Sequence, residues 1–464
     1  MNMKVHFIAV GGAVMHNLAL ALKMKGYDVT GSDDEIFEPS RSRLAAAGIL
    51  PEKDGWYPER LTGDIDTVIL GMHARADNPE LLAAKQMGLN VVSFPEYIYD
   101  QTRDKLRIVV GGSHGKTTTT AMIMHAFKHN NIPFDYLVGS AIDGYETMVG
   151  LSSDSRIAVI EGDEYLTSPI DRRPKFHLYK PHIAIINGIA WDHMNVFPTF
   201  ENYCEQFSVF ASTIMPGGSL LYYANDPEAV KIAADCRADI RKVPYDIHGY
   251  MVNKTGCYAV TINRMVKVGF FGAHNMHNLS AAREACLAAG LTEDQFYAAI
   301  GSFPGTSKRL QLLASDDGRI VYLDFAHAPS KVKATVEAVK EQYPSKKIVA
   351  LLELHTYSSL NAGFIGQYRG TLDCADKAFV YFNPHAISMK KLPPLSTETV
   401  SEAFGSSKVT VSDNSLQLLD MVRAVEGNDV VFLLMSSGDF NGTGMQSFAE
   451  ELVNIKKWRI PIST

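Results

Sequence analysis

Residues 106–128 decide the fold, and they read LRIVVGGSHGKTTTTAMIMHAFK. Leu106–Val110, apolar except for Arg107, leads into two glycines, and Thr118–Lys128 has the apolar content of a buried helix. This order predicts a buried strand, a tight turn and a helix. Backbone N–H groups of such a turn and the N-terminus of the following helix attract phosphate, and Lys116 adds a positive charge. The residues predicted to bind the phosphates of a nucleotide are Gly112, Ser113, His114, Gly115, Lys116, Thr117 and Thr118.

The spacing of this loop differs from the common phosphate-binding pattern, which reads G-x-x-x-x-G-K-[ST]. Val110 stands where that pattern has its first glycine, so the loop here is shorter. A tight strand-to-helix turn with an incidental lysine is the alternative interpretation. The strand and the helix on either side favour phosphate binding.

Two further segments are candidates for a metal site. Glu161 follows the predicted strand Ile157–Ile160, and Asp192 and His193 follow the next predicted strand. Ligands of open α/β sheets bind just past the carboxyl ends of the strands, and Mg²⁺ prefers oxygen ligands such as carboxylates and the Thr117 hydroxyl. Spacing alone leaves two alternatives open, a solvated loop acid and a loop histidine.

Strand and helix patterns alternate along the whole chain, which predicts an α/β fold with parallel sheets. The length suits about three domains. We predict a Rossmann-like domain over 1–104, a central nucleotide-binding domain with a parallel sheet over 105–314, and a second Rossmann-like domain over 315–464. The charged stretch Gln101–Lys105 is the predicted linker between the first two domains.

Composition excludes several classes of protein. The 464 residues include 44 Lys and Arg against 51 Asp and Glu, and a net charge of −7 argues against a general nucleic-acid or membrane-surface binder. The five cysteines are scattered and contain no C-x-x-C pair, so we expect neither a disulfide framework nor a cysteine zinc site. No apolar run has the length of a membrane span, and the opening run is too short for a signal peptide. We therefore expect a cytoplasmic protein without integral membrane contact.

Several motifs resemble those of one enzyme family. Residues 112–119, GSHGKTTT, resemble the G-T-H-G-K-T-T-T loop of the Mur ligase family. Further matches follow in the family's order: GAHNMHN over 272–278 resembles G-x-H-N-x-x-N, SKR over 307–309 resembles K-R/H-R, and DFAHAP over 324–329 resembles D-Y-A-H-x-P. Glu161 resembles the family's magnesium glutamate, and Asp192-His193 resembles its D-H pair.

The resemblance implies a ligase with small-molecule substrates, and with ATP and Mg²⁺ as cofactors. The carboxylate of UDP-N-acetylmuramate would attack the γ-phosphate of ATP, and an amine would then attack the acyl phosphate to form an amide. The implied catalytic residues are Lys116, Glu161 and His193. The implied metal ligands are Thr117, Glu161 and His193. The residues implied to contact ATP beyond the phosphate loop are Asn278, Arg309 and Asp324. Those implied for the UDP-sugar are Gly11, Gly12, Asp33 and His73, and those for the acceptor are Arg172, Arg173 and His327.

Two branches of the family fit the acceptor side. Many members carry a metal-supporting lysine after the D-H pair, but the stretch ENYCEQFSVFAS over 201–212 contains none. That absence is typical of the branch that adds L-alanine to UDP-N-acetylmuramate. It is equally typical of a related branch that adds the tripeptide L-Ala-γ-D-Glu-meso-diaminopimelate. EGDEY over 161–165 and DRRPKF over 171–176 resemble the tripeptide branch, which is therefore the predicted function. L-alanine as acceptor is the alternative, and a solvated basic turn is the alternative for the arginines.

Two departures from the family pattern stand in the first and third predicted domains. AVGGAVM over 9–15 has fewer glycines than the family's G-x-G-G-x-G-M loop, so contacts to the UDP-sugar are expected to differ. In the third predicted domain, the sequence reads Glu353-Leu354-His355-Thr356 where an arginine would be expected.

A folylpolyglutamate synthase would lack the first domain, so the residues ahead of the phosphate loop argue against one. A nucleotide-dependent switch without catalysis is the other alternative, and the polar residues at 161 and 193 argue for chemistry.

Overall fold

The computed structural model describes residues 2–253, 255–316 and 318–458, and every structural statement concerns these residues. They form two compact units. The first unit contains residues up to 191 together with 198–246 and 279–300, and the second contains 192–197, 247–278 and the described residues from 301 onward. Each unit is described by itself. The predicted domain boundaries at 104/105 and 314/315 stay a prediction.

The first unit opens with a four-stranded parallel sheet in the order β2-β1-β3-β4. Its strands are short, and helices connect them as parallel strands require. The elements are β1 (Lys4–Ile8), α1 (Ala13–Met24), β2 (Asp28–Ser32), α2 (Ser40–Ala46), β3 (Thr67–Leu70), α3 (Pro79–Gln86), β4 (Val91–Ser93) and α4 (Phe94–Thr102).

A seven-stranded sheet follows in the same unit, in the order β11-β10-β9-β5-β8-β6-β7. All neighbouring strands are parallel except β6 and β7. The elements are β5 (Leu106–Gly111), α5 (Lys116–His129), β6 (Phe134–Leu137), β7 (Val149–Gly150), β8 (Ile157–Glu161), β9 (Ile183–Ile186), α6 (Phe200–Ser212), β10 (Ser219–Tyr223), α7 (Pro227–Asp235) and β11 (Arg241–Tyr245). Because β5 lies between β8 and β9, the segments that follow these three strands meet at one edge of the sheet.

The chain continues with a small antiparallel sheet and two helices. The sheet has the order β12-β13-β14 and belongs to the second unit. The elements are β12 (Tyr250–Asn253), β13 (Gly256–Val260), β14 (Met265–Val268), α8 (Ala273–Ala288) and α9 (Glu293–Ile300).

The rest of the second unit is built on a six-stranded sheet in the order β15-β16-β20-β17-β18-β19. Its edge strand β15 is antiparallel and the others are parallel. The elements are β15 (Gln311–Ser315), β16 (Arg319–Asp324), α10 (Pro329–Gln342), β17 (Lys347–Leu354), β18 (Lys377–Phe382), α11 (Pro384–Met389), α12 (Thr397–Phe404), β19 (Val409–Ser412), α13 (Ser415–Arg423), β20 (Val430–Met435) and α14 (Met445–Trp458).

Mixed helices and largely parallel sheets confirm the predicted α/β fold. The predicted linker is wrong in its first two residues, because α4 continues through Gln101 and Thr102. The Thr102 hydroxyl donates to the carbonyl oxygen of Ile98, four positions earlier, at 2.7 Å. In the described part of the chain, no helix combines the length and apolar character that crossing a membrane requires.

Candidate active site

The phosphate loop, residues 111–117, takes a backbone shape that glycine permits. Gly112 has φ 127° and Gly115 has φ 70°, a region that side chains other than glycine rarely adopt. A Cβ atom on Gly112 would also lie 2.8 Å from the backbone nitrogen of Asn187. The Ser113 N–H donates to the carbonyl oxygen of Gly188 at 3.0 Å. The loop therefore rests directly on the segment that follows β9.

Lys116 begins α5 and is held by a carboxylate. Its Nζ donates to the carbonyl oxygen of Gly112 at 2.7 Å and to Glu164 Oε2 at 2.6 Å. Its side chain is 15% exposed and that of Glu164 is 1% exposed. Burial opposes the charge on the lysine, but attraction by Glu164 and then Asp163 outweighs it and raises the pKa of Lys116. The loop therefore carries a permanent cation whose partner, Glu164, was not identified from the sequence.

Thr117 and Glu161 lie side by side at the N-terminus of α5. The Thr117 hydroxyl donates to Glu161 Oε1 at 2.9 Å, and the Gly139 N–H donates to Glu161 Oε2 at 2.8 Å. A Cβ atom on Gly139 would lie 2.9 Å from Glu161 Oε1, so a larger residue here would displace the carboxylate. Burial raises the pKa of Glu161, although both donors and Lys116 act in the opposite direction. The structure thus brings together two of the three predicted metal ligands.

The donor chemistry at this point fits Mg²⁺. A hydroxyl and a carboxylate are hard oxygen ligands, and Mg²⁺ typically takes one or two such ligands plus waters and substrate phosphates. Over the described residues, no group of three or more His, Cys, Asp and Glu side chains is arranged to hold a metal ion. Thr117 and Glu161 offer two oxygen ligands, to which a bound nucleotide would add its phosphates.

Tyr203 and Ser113 connect this site to α6. The Tyr203 hydroxyl is bonded to Glu164 Oε1 at 3.0 Å and to Ser113 Oγ at 2.8 Å, and Ser113 Oγ accepts from the Ala190 N–H at 2.9 Å. Tyr203 is fully buried. It stands among apolar residues of an amphipathic helix, so its sequence context predicts a core residue and not a partner of the phosphate loop.

The segment between β8 and β9 forms a loop with a closed base, and we call residues 163–176 the acidic-basic loop. Backbone bonds from Lys175 to Tyr165 at 3.0 Å and from Phe176 to Asp163 at 3.2 Å tie its two ends together. Lys175 Nζ also pairs with Asp163 Oδ2 at 2.5 Å. The base of the loop is therefore fixed beside the phosphate site.

The tip of the acidic-basic loop carries the two predicted acceptor arginines. Arg173 is engaged within the loop, because its Nη2 lies 2.6 Å and its Nε 3.0 Å from the two carboxylate oxygens of Asp171. This pairing lowers the pKa of Asp171. Arg172 is exposed. Asp171 therefore pairs with the guanidinium of Arg173, while the guanidinium of Arg172 is exposed to solvent without that partner.

The four residues predicted to bind the UDP-sugar form two pairs, Gly11 with Asp33 and Gly12 with His73. They lie in the segments that follow β1, β2 and β3. The Gly11 N–H donates to Asp33 Oδ2 at 2.7 Å, and a Cβ atom on Gly12 would lie 3.7 Å from the His73 imidazole. Burial raises the pKa of Asp33 to about 7. The substituted glycine loop thus still has close backbone approach at Gly11, and its role toward the UDP-sugar stays a prediction.

In the second unit, His193 belongs to a charged group around Asp192. The His193 N–H donates to Asp192 Oδ1 at 2.8 Å, and Lys331 Nζ lies 3.8 Å from Asp192 Oδ2. Burial opposes ionisation of Asp192, but Lys331 and both nearby histidines together lower its pKa. Burial and Lys331 lower the pKa of His327 to about 3, so this imidazole is neutral at physiological pH. The structure places two predicted site residues, His193 and His327, in this one group.

Arg309 and Asp324 form a second group in the same unit. The Arg309 guanidinium lies 4.7 Å from the centre of the Phe325 ring. Asp324 accepts the Leu310 N–H and the Ala326 N–H, each at 2.7 Å. Burial raises the pKa of Asp324, while Arg309 opposes that shift. Asn278, the third residue predicted to contact ATP, is buried on α8.

Comparison with known proteins gives the family. Residues 4–105 match the description "Mur ligase family, catalytic domain", 110–286 match "Mur ligase middle domain", and 308–438 match "Mur ligase, glutamate ligase domain". A UDP-N-acetylmuramate–L-alanine ligase from Chlorobaculum parvum is 30% identical over 457 residues, 94% of this chain and 93% of the relative. The chain belongs to the Mur ligase family. This Mur ligase is accordingly an ATP-dependent, ADP-forming enzyme of peptidoglycan synthesis, and the resemblance predicted from its motifs is confirmed.

A second relative of this Mur ligase is named for a different acceptor. UDP-N-acetylmuramate–L-alanyl-γ-D-glutamyl-meso-2,6-diaminoheptandioate ligase from Haemophilus influenzae is 28% identical over 450 residues, 94% of this chain and 97% of the relative. The fold also matches the crystal structure of a UDP-N-acetylmuramate–alanine ligase from Thermotoga maritima. That match has a TM-score of 0.71 and 21% identity, and covers 98% of this chain and 100% of the other.

Proposed function

We propose that this Mur ligase joins the tripeptide L-Ala-γ-D-Glu-meso-diaminopimelate to UDP-N-acetylmuramate at the expense of ATP. The observation that carries the proposal is the acidic-basic loop, whose closed base lies at the phosphate site and whose tip exposes Arg172. A guanidinium binds a carboxylate in a planar, two-point arrangement, and the tripeptide offers several carboxylates. Similarity to the Haemophilus influenzae ligase over nearly the whole chain supports the same acceptor.

The chemical steps follow from the charges at the phosphate site. An oxygen of the muramyl carboxylate forms a bond to the γ-phosphorus of ATP while the bond to ADP breaks. The acceptor amine then attacks the acyl carbon, loses a proton and expels inorganic phosphate. Lys116 would neutralise phosphate charge, and the N-terminus of α5 would orient the phosphate oxygens. Positioning and charge neutralisation account for most of the catalysis in such transfers.

Mg²⁺ would supply further neutralisation of the phosphate charge when bound, held by Thr117 and Glu161. The two ligand atoms are already adjacent at 2.9 Å, and Gly139 fixes the far oxygen of the carboxylate. We assign His193 to the same metal chemistry on the strength of its position in the family's D-H pair. ATP would reach Asn278, Arg309 and Asp324 with its adenosine part.

The assignment of His193 predicts a coupled defect. We expect Glu161→Ala and His193→Ala each to lower kcat strongly. The kcat of the double variant should be only slightly below that of the less active single variant. Residues that act as one unit give effects of this non-additive kind. Initial rates of ADP release from the four proteins measure the coupling. Defects that multiply would show that the two residues do not serve one site.

The acceptor is tested by direct competition between substrates. We expect kcat/KM for the tripeptide to exceed that for L-alanine by at least about tenfold, which corresponds to roughly 1.4 kcal/mol of transition-state preference. Mass spectrometry of the product, with ATP and UDP-N-acetylmuramate present, identifies which amide forms. A preference for L-alanine would contradict the proposal.

The arginine variants locate the origin of this preference. Arg172→Ala is expected to lower the tripeptide rate and leave the L-alanine rate within about threefold, because L-alanine lacks the distal carboxylates. Arg173→Ala is the matched control, since Asp171 already occupies that guanidinium. Equal losses on both acceptors from Arg172→Ala would assign the arginine to the UDP-sugar.

L-alanine as acceptor is the second candidate function. It is favoured by the relative from Chlorobaculum parvum, which has 30% identity and is named for that acceptor. The internal pairing of Arg173 with Asp171 also leaves the loop tip less basic than its sequence suggests. Under this function, neither arginine variant would alter the ratio of the two acceptors.

A further inference from the structure

A continuous chain of buried hydrogen bonds runs beneath the phosphate loop. It leads from the Ala190 N–H to Ser113 Oγ at 2.9 Å, to the Tyr203 hydroxyl at 2.8 Å, to Glu164 Oε1 at 3.0 Å, and from Glu164 Oε2 to Lys116 Nζ at 2.6 Å. Ser113, Glu164 and Tyr203 are all at most 2% exposed. These hydrogen bonds join the segments that follow β5, β8 and β9 to α6.

The groups at the two ends of this series of hydrogen bonds determine which atom is the donor in each bond. A backbone N–H can only donate, and an ionised carboxylate can only accept. Tyr203 has one proton, which must go to Glu164, so its oxygen accepts the proton of Ser113. Bonds aligned in this way polarise one another and strengthen the acceptor end. The carboxylate that pairs with Lys116 is therefore held by a fixed donor on its other oxygen.

The energetic importance of Tyr203 follows from the burial of its partner. Without the phenol hydroxyl, Glu164 Oε1 would lose a charge-assisted bond in a water-poor place, and such losses are costly. The carboxylate would then turn or be less firmly placed, and Lys116 would lose a defined partner. The phosphate loop would have to be reordered each time a nucleotide binds.

We propose that Tyr203 is a positioning residue for nucleotide binding, which acts through Glu164 to keep Lys116 and the phosphate loop in place before ATP arrives. This inference rests on the proposed function, because it concerns the nucleotide that the ligase consumes. Its effect belongs to binding and not to the chemical step. The bond from Tyr203 to Glu164 is kept when the nucleotide is bound, so its loss lowers the affinity for the nucleotide and leaves the step from bound substrate to transition state unchanged.

The test is Tyr203→Phe, which removes only the hydroxyl. We expect the Kd for the Mg²⁺ complex of β,γ-imido-ATP, measured by calorimetry, to rise about tenfold. The KM for ATP should rise to a similar extent, while kcat and the KM values for the other substrates change less than threefold. Tyr136→Phe, on β6 of the same unit, is the matched control, because the Tyr136 hydroxyl lies 3.5 Å from Thr147 and is not part of this series of hydrogen bonds. It should leave the Kd unchanged.

A double-variant cycle tests the route through Glu164. If Tyr203 acts through this carboxylate, Tyr203→Phe combined with Glu164→Gln should bind the nucleotide no more weakly than Glu164→Gln alone. Effects on Kd that multiply would overturn the proposal. So would an unchanged Kd with a lower melting temperature, which would show a structural role only, and so would a fall in kcat at constant KM.

The binding measurement separates this inference from the proposed function. A wild-type protein that binds the nucleotide but forms no ADP with either acceptor would contradict the proposed function. The comparison of Kd values between wild type and Tyr203→Phe would still decide the role of the tyrosine.

Discussion

Lys116→Met is expected to abolish ADP formation, with kcat at least a thousandfold below that of the wild type. Lys116 is the one residue of the phosphate loop that carries a permanent positive charge, and transition-state charge at a phosphoryl group depends on such cations. Its pKa is raised, so the charge is present throughout the physiological range. Coupled assay of ADP release, with both cosubstrates saturating, measures the loss. A variant that kept more than about a tenth of the wild-type kcat would contradict the assignment of the loop.

A stability control keeps this result interpretable. Loss of the lysine leaves Glu164 as a buried carboxylate without its ionic partner, which is strongly destabilising. Lys116→Met combined with Glu164→Gln removes both charges, and we expect it to recover the melting temperature without recovering activity. Lys231→Met is the matched control on an exposed lysine, whose side chain is 71% exposed, and it should behave like the wild type.

Glu161→Gln is expected to lower kcat at least about a hundredfold and to raise the Mg²⁺ concentration needed for half-maximal rate. The amide keeps the volume of the side chain and can still accept the Gly139 N–H, so the change is mainly one of charge at the proposed metal position. Removing a metal ligand weakens both the holding of the ion and the neutralisation that it provides. Rates of ADP release over a range of Mg²⁺ concentrations separate the two effects.

The control for this variant is Glu205→Gln, which changes an exposed glutamate on α6 in the same unit. It should leave both kcat and the Mg²⁺ requirement unchanged. Calorimetric titration of Mg²⁺ in the presence of β,γ-imido-ATP gives a readout that does not depend on turnover. An unaltered Mg²⁺ dependence in Glu161→Gln would exclude this carboxylate as a ligand.

The sequence predicts those parts of the site that depend on local signals. The strand, turn and helix around residues 106–128 follow from apolar runs and glycines, and Glu161 follows from its place at the end of a strand. The partnership of Glu164 with Lys116 depends instead on the neighbouring position of β8 and β5 in the sheet. Local patterns do not contain strand order, so this contact could not be derived from them.

Tyr203 and Arg173 show two kinds of contact that the sequence-based interpretation did not include. Tyr203 occupies an apolar position of α6, where an aromatic residue indicates the core, and its hydroxyl reaches Ser113 across 90 positions of sequence. For Arg173 a signal was available, because Asp171 stands only two positions away. A short charged turn that satisfies its own charges presents less of them to a ligand. Composition alone therefore overestimates how basic the loop tip is.

Because the base of the acidic-basic loop is closed, the tip could be replaced without disturbing the base. Two backbone bonds and the Lys175–Asp163 pair join the ends of the loop. Glu164 lies inside this base, while Arg172 lies beyond it at the tip. A new tip could therefore be grafted between residues 167 and 173 without moving the carboxylate that holds Lys116. If the tip binds the acceptor as proposed, acceptor preference and nucleotide use are separately adjustable in such a protein, and selection can alter the first while the second is preserved.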